Sequence, residues 1–381
     1  MNHSFVLALS TMVGTIIGAG IFGIPFVVAK SGIIPAVFYF LLLGGAVMLL
    51  HLLFGEVALR TKEKHRLIGY AGQYLGRKAK VVATFSTVFG IVGALLAYTI
   101  LGGQFLKIIF NSTLPFSEAT LAVLFWAVLS FFIFRGIQLI AKAEFIMNVA
   151  LFLSILVIFF FAAPHVRLDN FTLIDVNHVF LPYGVILFAL AGWAAIPEIA
   201  DFFKARREKK TLDNVIIWAS GIVAVLYFLF ALFVVGVSGQ GTSPDALEGL
   251  VPFLGKEIIV LGAAFGLVAI AASFLVLGNY LKNSLLYDFK LPYLLAASAA
   301  TLLPLGLFLA GFREFVLVLG VVGITMGIIE GVLIVMLFYK AKEKGERVPE
   351  YSITIPRFLP FLVALLLVGG ALAELFFSYI Q

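Results

Sequence analysis

Long apolar stretches recur along the chain, separated by short segments that hold most of its charged residues. A helix needs about 20 apolar residues to cross the hydrocarbon core of a bilayer. The stretches of about that length are numbered here as predicted spans 1 to 11: residues 5–29, 34–59, 81–109, 119–138, 145–163, 179–202, 213–237, 257–281, 291–311, 314–339 and 357–379. The pattern predicts an all-α polytopic membrane protein with eleven transmembrane helices.

Two of these spans carry glycine and proline near their centres. Span 1 holds the sequence GIFGIP from Gly20 to Pro25, and span 6 holds GWAAIP from Gly192 to Pro197. Glycine and proline weaken a helix interior, and in hydrocarbon a freed N–H or C=O is costly unless a polar partner uses it. Broken helices at matching places in two halves of a chain therefore predict a substrate and ion site near the membrane midplane.

Lysine and arginine are unequally divided between the two sides that this topology creates. With the N-terminus inside, 21 of the 26 basic residues fall in inner loops. This excess predicts a cytoplasmic N-terminus and an outside C-terminus in the cell membrane. Spans 1 to 5 (residues 5–163) and spans 6 to 10 (residues 179–339) then enter the membrane from opposite sides, which predicts an inverted five-plus-five repeat. Span 11 (residues 357–379) lies outside the repeat, and a single transmembrane domain is expected over residues 1–381.

Composition narrows the classes of function. The chain is 62% hydrophobic and 12% charged, with a mean hydropathy of +1.14, which places it in a lipid bilayer. The net charge of +6 comes from loops rather than from one basic face, so nucleic acid binding is not indicated. Zero cysteines exclude disulfides and thiolate metal sites. The sequence shows no nucleophile with a base, no metal-ligand cluster and no phosphate loop, so we expect neither an enzyme, nor a cofactor, nor an obligate protein partner.

The break in span 1 offers groups of both signs. If the helix opens at Gly18 to Gly20, the half that starts near Ile21 presents free N–H groups and a positive dipole end, which suit a carboxylate. The half that ends near Ile17 presents carbonyls, which suit a cation. Packing is the alternative, because Gly14 and Gly18 form a small-xxx-small pair that lets two helices approach closely.

The break in span 6 is expected at Ala189 to Gly192. It would offer the carbonyls of Phe188, Ala189 and Ala191 to an ammonium group. Pro197 then falls in the first turn of the continuing half, where its missing N–H costs least. A zwitterion fits a site that both breaks build together.

Motifs at these breaks resemble one known superfamily. The run GTIIGAGIFGIP from Gly14, followed by VVAKSG, resembles the first helix of the amino acid, polyamine and organocation transporters. FALAGWAAIPEIAD from Phe188 and RGIQLIAKAE from Arg135 resemble that superfamily's sixth helix and one of its cytoplasmic loops. Length and the GAG form look most similar to the aromatic and hydroxy amino acid permeases and to the amino acid/auxin permeases. The resemblance implies the fold of the bacterial leucine transporter and a symporter that imports an amino acid with a proton or sodium.

The resemblance also implies roles for single residues. The backbone of Gly18 to Gly20 would bind the substrate carboxylate, helped by Thr15. Trp193 corresponds to the aromatic residue that closes over the substrate, or else fills a helix interface. Tyr98 in span 3 is a pocket wall or gate, or else a core residue with a satisfied hydroxyl. The expected substrate-binding residues are Thr15, Gly18, Ala19, Gly20, Tyr98, Phe188, Ala189, Ala191, Gly192 and Trp193.

Sodium coupling is expected to use span 1 carbonyls and span 8 hydroxyls. Sodium-coupled relatives hold the ion between carbonyls that match Gly14 and Ile17 and two adjacent hydroxyl residues, whereas this chain has only Ser273 there. The only metal site to consider is therefore a sodium site, and it lacks one expected ligand.

Ionisable residues inside the spans are the candidates for proton coupling, because burying a charge is costly and usually functional. They are Glu330 in span 10 and His51 and Glu56 in span 2. Glu330 carries a proton or pairs with a neighbour. Glu56 also resembles a family carboxylate that accepts from N–H groups exposed by the broken helices. These residues favour a proton and leave sodium open.

Two further expectations concern the inner end of span 6 and the class of protein. Glu198 and Asp201 are expected to form a salt-bridge network or inner gate with Lys204, Arg206 and Arg207. The alternative function is a nutrient-sensing receptor on the same fold, like the spore germination proteins that resemble this superfamily.

Overall fold

The protein's structure, a computed structural model, describes residues 3–110, 115–136, 141–203, 210–287 and 289–380. Over these ranges all regular secondary structure is helical, as the apolar pattern predicts. In the first half the α-helices are α1 (His3–Ile16), α2 (Gly20–Ser31), α3 (Ile33–Arg60), α4 (Leu67–Leu75), α5 (Arg77–Phe110), α6 (Glu118–Phe134) and α7 (Ala141–Ala162). In the second half they are α8 (Pro182–Leu190), α9 (Ile196–Phe202), α10 (Leu212–Ser238), α11 (Val251–Leu254), α12 (Lys256–Tyr287), α13 (Tyr293–Leu309), α14 (Phe315–Lys344) and α15 (Phe358–Glu374), followed by the π-helical segment Leu375–Ile380.

The predicted spans coincide with these helices. Within the described ranges, seven helical segments are long and apolar enough to cross a membrane, and one of them joins α8 and α9 over Pro182–Phe202. The bent pair α1 and α2 makes an eighth if it is counted as one span. Shorter apolar helices lie at the positions of predicted spans 4, 5 and 9. Each predicted span thus matches an apolar helix or a broken helix, while the count of eleven crossings stays a prediction.

The first predicted break is present. α1 ends at Ile16 and α2 begins at Gly20, with a bend of 56° between the two helices. The hydrogen bond from the Ile21 N–H to the Gly18 carbonyl across this connection is long, at 3.4 Å. The helix therefore opens over residues 17–19 and has resumed at Gly20.

The second break is shorter than expected. α8 continues through Ala189, and only Ala191 and Gly192 leave the helical conformation before the next helical turn. The Ala191 N–H donates to the Leu187 carbonyl at 3.1 Å and is shared with the Phe188 carbonyl at 3.3 Å, so the Phe188 carbonyl is only partly engaged within its own helix. Pro197 lies in the first turn of α9, as predicted.

Helix packing places both breaks at the centre of the bundle. α5 packs against α12 and α14, and α14 also packs against α3 and α8. α10 packs against α1, α2 and α3, while α2 and α8 pack against each other. The segment that follows the first break is fully enclosed, since Ile21 and Phe22 have no exposed surface.

The helix outside the expected repeat contacts the second broken helix. Glu374 of α15 is fully buried and accepts the backbone N–H of Gly184 at 2.7 Å. Gly184 lies in the first turn of α8, where backbone N–H groups have no acceptor within their own helix. The carboxylate of α15 therefore stabilises the start of α8.

Candidate functional site

Two glycines allow the breaks to approach each other. A β-carbon added at Gly20 would lie 2.7 Å from the β-carbon of Ala189, and one added at Gly192 would lie 2.3 Å from Cγ1 of Ile16. Both distances are too short for any side chain. Close packing between the two broken helices therefore requires these glycines, so their role includes packing as well as the backbone access that the sequence suggested.

A tyrosine and a serine from two other helices meet the first break. The hydroxyl of the buried Tyr98 on α5 lies 3.0 Å from the position of a β-carbon at Gly18. That hydroxyl also interacts with the side chain of Ser273 on α12, which donates to the Ala269 carbonyl at 3.2 Å. Gly18 and Ser273 are partly exposed although their segments are largely buried. The structure thus brings three predicted site residues together around accessible space.

Other span 1 residues fall in different surroundings. Ile17 and Ala19 are buried at the break, and Gly14 lies within α1. Thr15 is exposed, and its hydroxyl donates to the Thr11 carbonyl at 2.8 Å. This corrects the expected help of Thr15 in carboxylate binding, because its donor is engaged within its own helix.

Sequence reasoning missed Tyr227 on α10. Its ring is fully buried, and its hydroxyl donates at 2.9 Å to the carbonyl of Ile16, which is the last residue of α1. One carbonyl freed by the break is therefore satisfied by a side chain. The available signal was a tyrosine in the middle of an apolar span, since a buried hydroxyl needs a partner.

Trp193 and Glu330, predicted for separate roles, are hydrogen-bonded to each other. Trp193 directly follows the second break and is 3% exposed, while Glu330 in the middle of α14 is 2% exposed. The indole Nε1–H of Trp193 donates to Oε2 of Glu330. The Thr87 hydroxyl lies 3.4 Å from the other carboxylate oxygen. Glu330 therefore pairs with a neighbour, as one of its two alternatives predicts, and that neighbour is the predicted substrate residue. Its role as a proton carrier stays a prediction.

His51 also reaches the second break. It is fully buried on α3, and its Nε2 accepts the Gly192 N–H at 3.1 Å. The sequence identified His51 as ionisable and inside a span, but it gave no reason to pair it with span 6.

Glu56 lies elsewhere than expected. Its carboxylate is fully buried, pairs with Arg60 at 2.7 Å and accepts the Ile353 N–H at 2.5 Å and the Ser352 hydroxyl at 3.1 Å. It accepts a backbone N–H, but from the segment between α14 and α15 and not from the broken helices. The Glu56 carboxylate is thus held by an arginine and a loop away from both breaks, and its part in ion coupling stays a prediction.

The acidic residues at the end of span 6 pair with the loop after α3. Glu198 pairs with Arg66 at 3.1 Å, and Asp201 pairs with Lys64 at 3.0 Å. The Arg66 guanidinium also lies over the ring of Tyr280 on α12, 4.2 Å from its centroid. The expected partners Lys204, Arg206 and Arg207 lie outside the described residues. A network that joins the loop, α9 and α12 fits the predicted inner gate.

The sequence profile of the tryptophan/tyrosine permease family matches residues 1–374. The chain belongs to this permease family. That membership agrees with the resemblance to the aromatic amino acid permeases, which rests on the length of the chain, its eleven predicted spans and the GAG form.

Individual relatives of this permease are transporters. It is 26% identical over 356 residues to tyrosine-specific transport system 1 of Haemophilus influenzae, with 88% of each chain covered. It is 23% identical over 292 residues to glutamine transporter 2 of Aliivibrio fischeri, covering 74% of this chain and 75% of that protein. The crystal structure of MhsT in complex with L-phenylalanine matches with a TM-score of 0.66 and 14% identity, covering 100% of this chain and 99% of that chain. This likeness shows the fold, which is the leucine-transporter fold that the resemblance implied.

Together these findings fix the class of protein. The permease is an integral membrane protein that transports amino acids, and it is not an enzyme. Its substrate is a small-molecule amino acid.

Proposed function

We propose that this permease is a symporter that imports an aromatic amino acid together with a proton, with its N-terminus in the cytoplasm. The family description and the tyrosine-specific relative support the aromatic class. The excess of lysine and arginine in the predicted inner loops supports the orientation. Proton coupling rests on the buried hydrogen bond between Trp193 and Glu330.

The substrate carboxylate binds at the first break. The N-terminal end of α2 supplies backbone N–H groups and a positive dipole end. The Tyr98 hydroxyl, which lies beside Gly18 and bonds with the Ser273 side chain, would turn from Ser273 to the carboxylate as a further donor. The partly exposed Phe188 and Ala191 at the second break lie where the ammonium group and the aromatic side chain would be held. Trp193 directly follows the second break in the chain, so a change in the position of Trp193 alters the side of the pocket that the second break forms.

Glu330 links the proton to that pocket. An ionised carboxylate makes a charge-assisted bond with the Trp193 N–H, roughly twice as strong as a bond between neutral groups. When Glu330 takes up a proton, that bond weakens and the residue that follows the break is held less firmly. Protonation thus biases the geometry of the segment that binds the amino acid, which is the physical requirement for coupling the two.

Uptake into proteoliposomes tests the proposal. Radiolabelled L-tyrosine should accumulate under an inward proton gradient and be insensitive to replacing sodium with choline. For one proton per substrate at zero membrane potential, each pH unit should support up to about tenfold accumulation. Strict sodium dependence that is lost in Ser273→Ala would instead assign coupling to sodium. Binding of L-tyrosine without accumulation under either gradient would favour the nutrient-sensing receptor.

A further inference from the structure

A histidine of α3 forms a buried bridge between two helices of the second half. His51 has no exposed surface. Its Nδ1 lies 3.0 Å from the hydroxyl of Ser220 on α10, and its Nε2 lies 3.1 Å from the backbone nitrogen of Gly192. Its ring centroid is 6.1 Å from that of Trp193. The imidazole therefore contacts the second break and the residue that follows it.

The bond with Gly192 fixes the protonation of the ring. A backbone N–H can only donate, so Nε2 of His51 must be an acceptor and carry no proton. The proton of the neutral ring is then on Nδ1, which donates to the Ser220 hydroxyl. The Gly192 N–H thus selects the tautomer in which Nε2 accepts, and Ser220 orients the ring by bonding to Nδ1.

The Gly192 N–H needs this acceptor because the helix is broken. In an uninterrupted helix that N–H would donate to the Phe188 carbonyl, but here it donates to Nε2 of His51, and the last helical N–H, that of Ala191, is shared between the Leu187 and Phe188 carbonyls. A buried backbone N–H without a partner is costly, and most of all within a membrane. His51 removes that cost in the broken conformation and would not do so in a continuous helix.

We infer that His51 is a positioning residue of the amino acid site. His51 holds the turn at Gly192 and thereby sets the position of Trp193 against Glu330. The inference rests on the amino acid site proposed at the two breaks, but not on the choice of driving ion. His51 acts through the backbone and the indole and makes no contact with substrate in this arrangement.

Equilibrium binding without any ion gradient tests the inference, with L-phenylalanine as the probe and purified protein in detergent. His51→Leu removes the acceptor and should raise the Kd about tenfold, whereas His51→Gln can place an amide oxygen near the Nε2 position and should stay within about threefold of wild type. Ser220→Ala removes only the orienting partner and should raise the Kd about threefold. The matched control for Ser220→Ala is Ser10→Ala, which makes the same change at a partly exposed position of α1 where the hydroxyl bonds only within its own helix.

Tryptophan fluorescence distinguishes a positioning role of His51 from a purely stabilising one, because only a positioning role changes the surroundings of Trp193 in the folded protein. The chain has three tryptophans, so a Trp126→Phe and Trp218→Phe background reports Trp193 alone. In that background His51→Leu should shift the emission of Trp193 in the folded protein at a temperature well below its Tm, and His51→Gln should restore it.

The outcomes separate failure of this inference from failure of the proposed function. If the wild type binds L-phenylalanine and His51→Leu matches it in Kd and emission, the inference is overturned. If His51→Gln is as impaired as His51→Leu, the accepting atom is not what matters and the inference is again overturned. If His51→Leu does not fold, Ser220→Ala decides, since an unchanged Kd there contradicts an oriented imidazole. A wild type that binds neither L-phenylalanine nor L-tyrosine would instead count against the proposed function. If the wild type binds only L-tyrosine, the same variants are compared with L-tyrosine as the probe.

Discussion

Replacing Glu330 with glutamine separates proton coupling from substrate binding. The amide oxygen of glutamine can still accept the Trp193 N–H, and its NH2 group can donate to the Thr87 hydroxyl, which lies 3.4 Å from the carboxylate in the native protein. The substitution therefore keeps the size of the side chain and both hydrogen-bond partners, although the bond with Thr87 reverses its direction. It removes the charge and the ability to take up and release a proton.

The structure sets the expected magnitudes. A hydrogen bond to a charged group contributes roughly 1.5–3 kcal/mol and a neutral one roughly 0.5–1.5 kcal/mol, so the exchange weakens the link to Trp193 by about 1 kcal/mol. If the binding free energy of L-tyrosine fell by this full amount of about 1 kcal/mol, the Kd would rise about fivefold. Proton-driven accumulation should be lost completely, from up to about tenfold per pH unit to none.

Two transport assays on the same proteoliposomes distinguish these effects. Exchange of internal L-tyrosine for radiolabelled external L-tyrosine needs no net proton movement and should persist in Glu330→Gln, while accumulation under an imposed proton gradient should vanish. Glu314→Gln is the matched control, because it makes the same change at an exposed position at the start of the same helix. Accumulation by Glu330→Gln equal to that of the wild type would refute the assignment of the proton to Glu330.

Three further predictions concern other parts of the molecule. Tyr98→Phe removes the hydroxyl beside Gly18 and should raise the Kd for L-tyrosine about two- to tenfold by isothermal titration, because a hydrogen bond contributes roughly 0.5–1.5 kcal/mol net; an unchanged Kd would make Tyr98 a packing residue. Glu374→Ala leaves the Gly184 N–H without its acceptor and should destabilise the fold by roughly 1–3 kcal/mol, seen as a lower Tm in detergent, and a Tm equal to that of wild type would contradict the role of α15. Burial raises the pKa of the Asp245 carboxyl, in the loop between α10 and α11, above its ordinary value of 3.8. The folded state then holds the Asp245 proton more tightly than the unfolded chain does. The contribution of this proton to stability is therefore present below pH 3.8 and is lost as the pH rises through the pKa of the folded state. Asp245→Asn should flatten this decline in a series of Tm measurements against pH, and parallel curves for the two proteins would contradict the prediction.

Features that depend on neighbouring residues in the chain could be predicted from the sequence. Hydropathy located each apolar helix, because the requirement to cover hydrocarbon applies to every turn of a span. Glycine located both breaks to within a residue or two, because the cost of a glycine in a helix is local. The length of the second break was overestimated, since the N–H of Ala191 still donates to the Leu187 carbonyl and so extends the helix end.

Partners of the polar side chains could not be predicted in the same way. Thr15 was expected to reach the substrate, but a hydroxyl on a helix often finds the carbonyl one turn back, and here it bonds with Thr11. Glu56 was expected to serve the broken helices, but it accepts from Ile353, 297 positions away. Its neighbours in space depend on how the segment after α14 folds back over the bundle.

The sequence by itself determined the membrane class, the helical segments, the two breaks and the residue types suited to an amino acid. Only the tertiary structure decided that Trp193 meets Glu330 across 137 positions of chain and that Gly192 meets His51 across 141. The hydrophobic and glycine patterns of a segment reflect the free energy of that segment in lipid or water. These residue pairs depend instead on the rotation and crossing of separate helices. That geometry is set by side-chain packing along whole interfaces, so no single motif contains it.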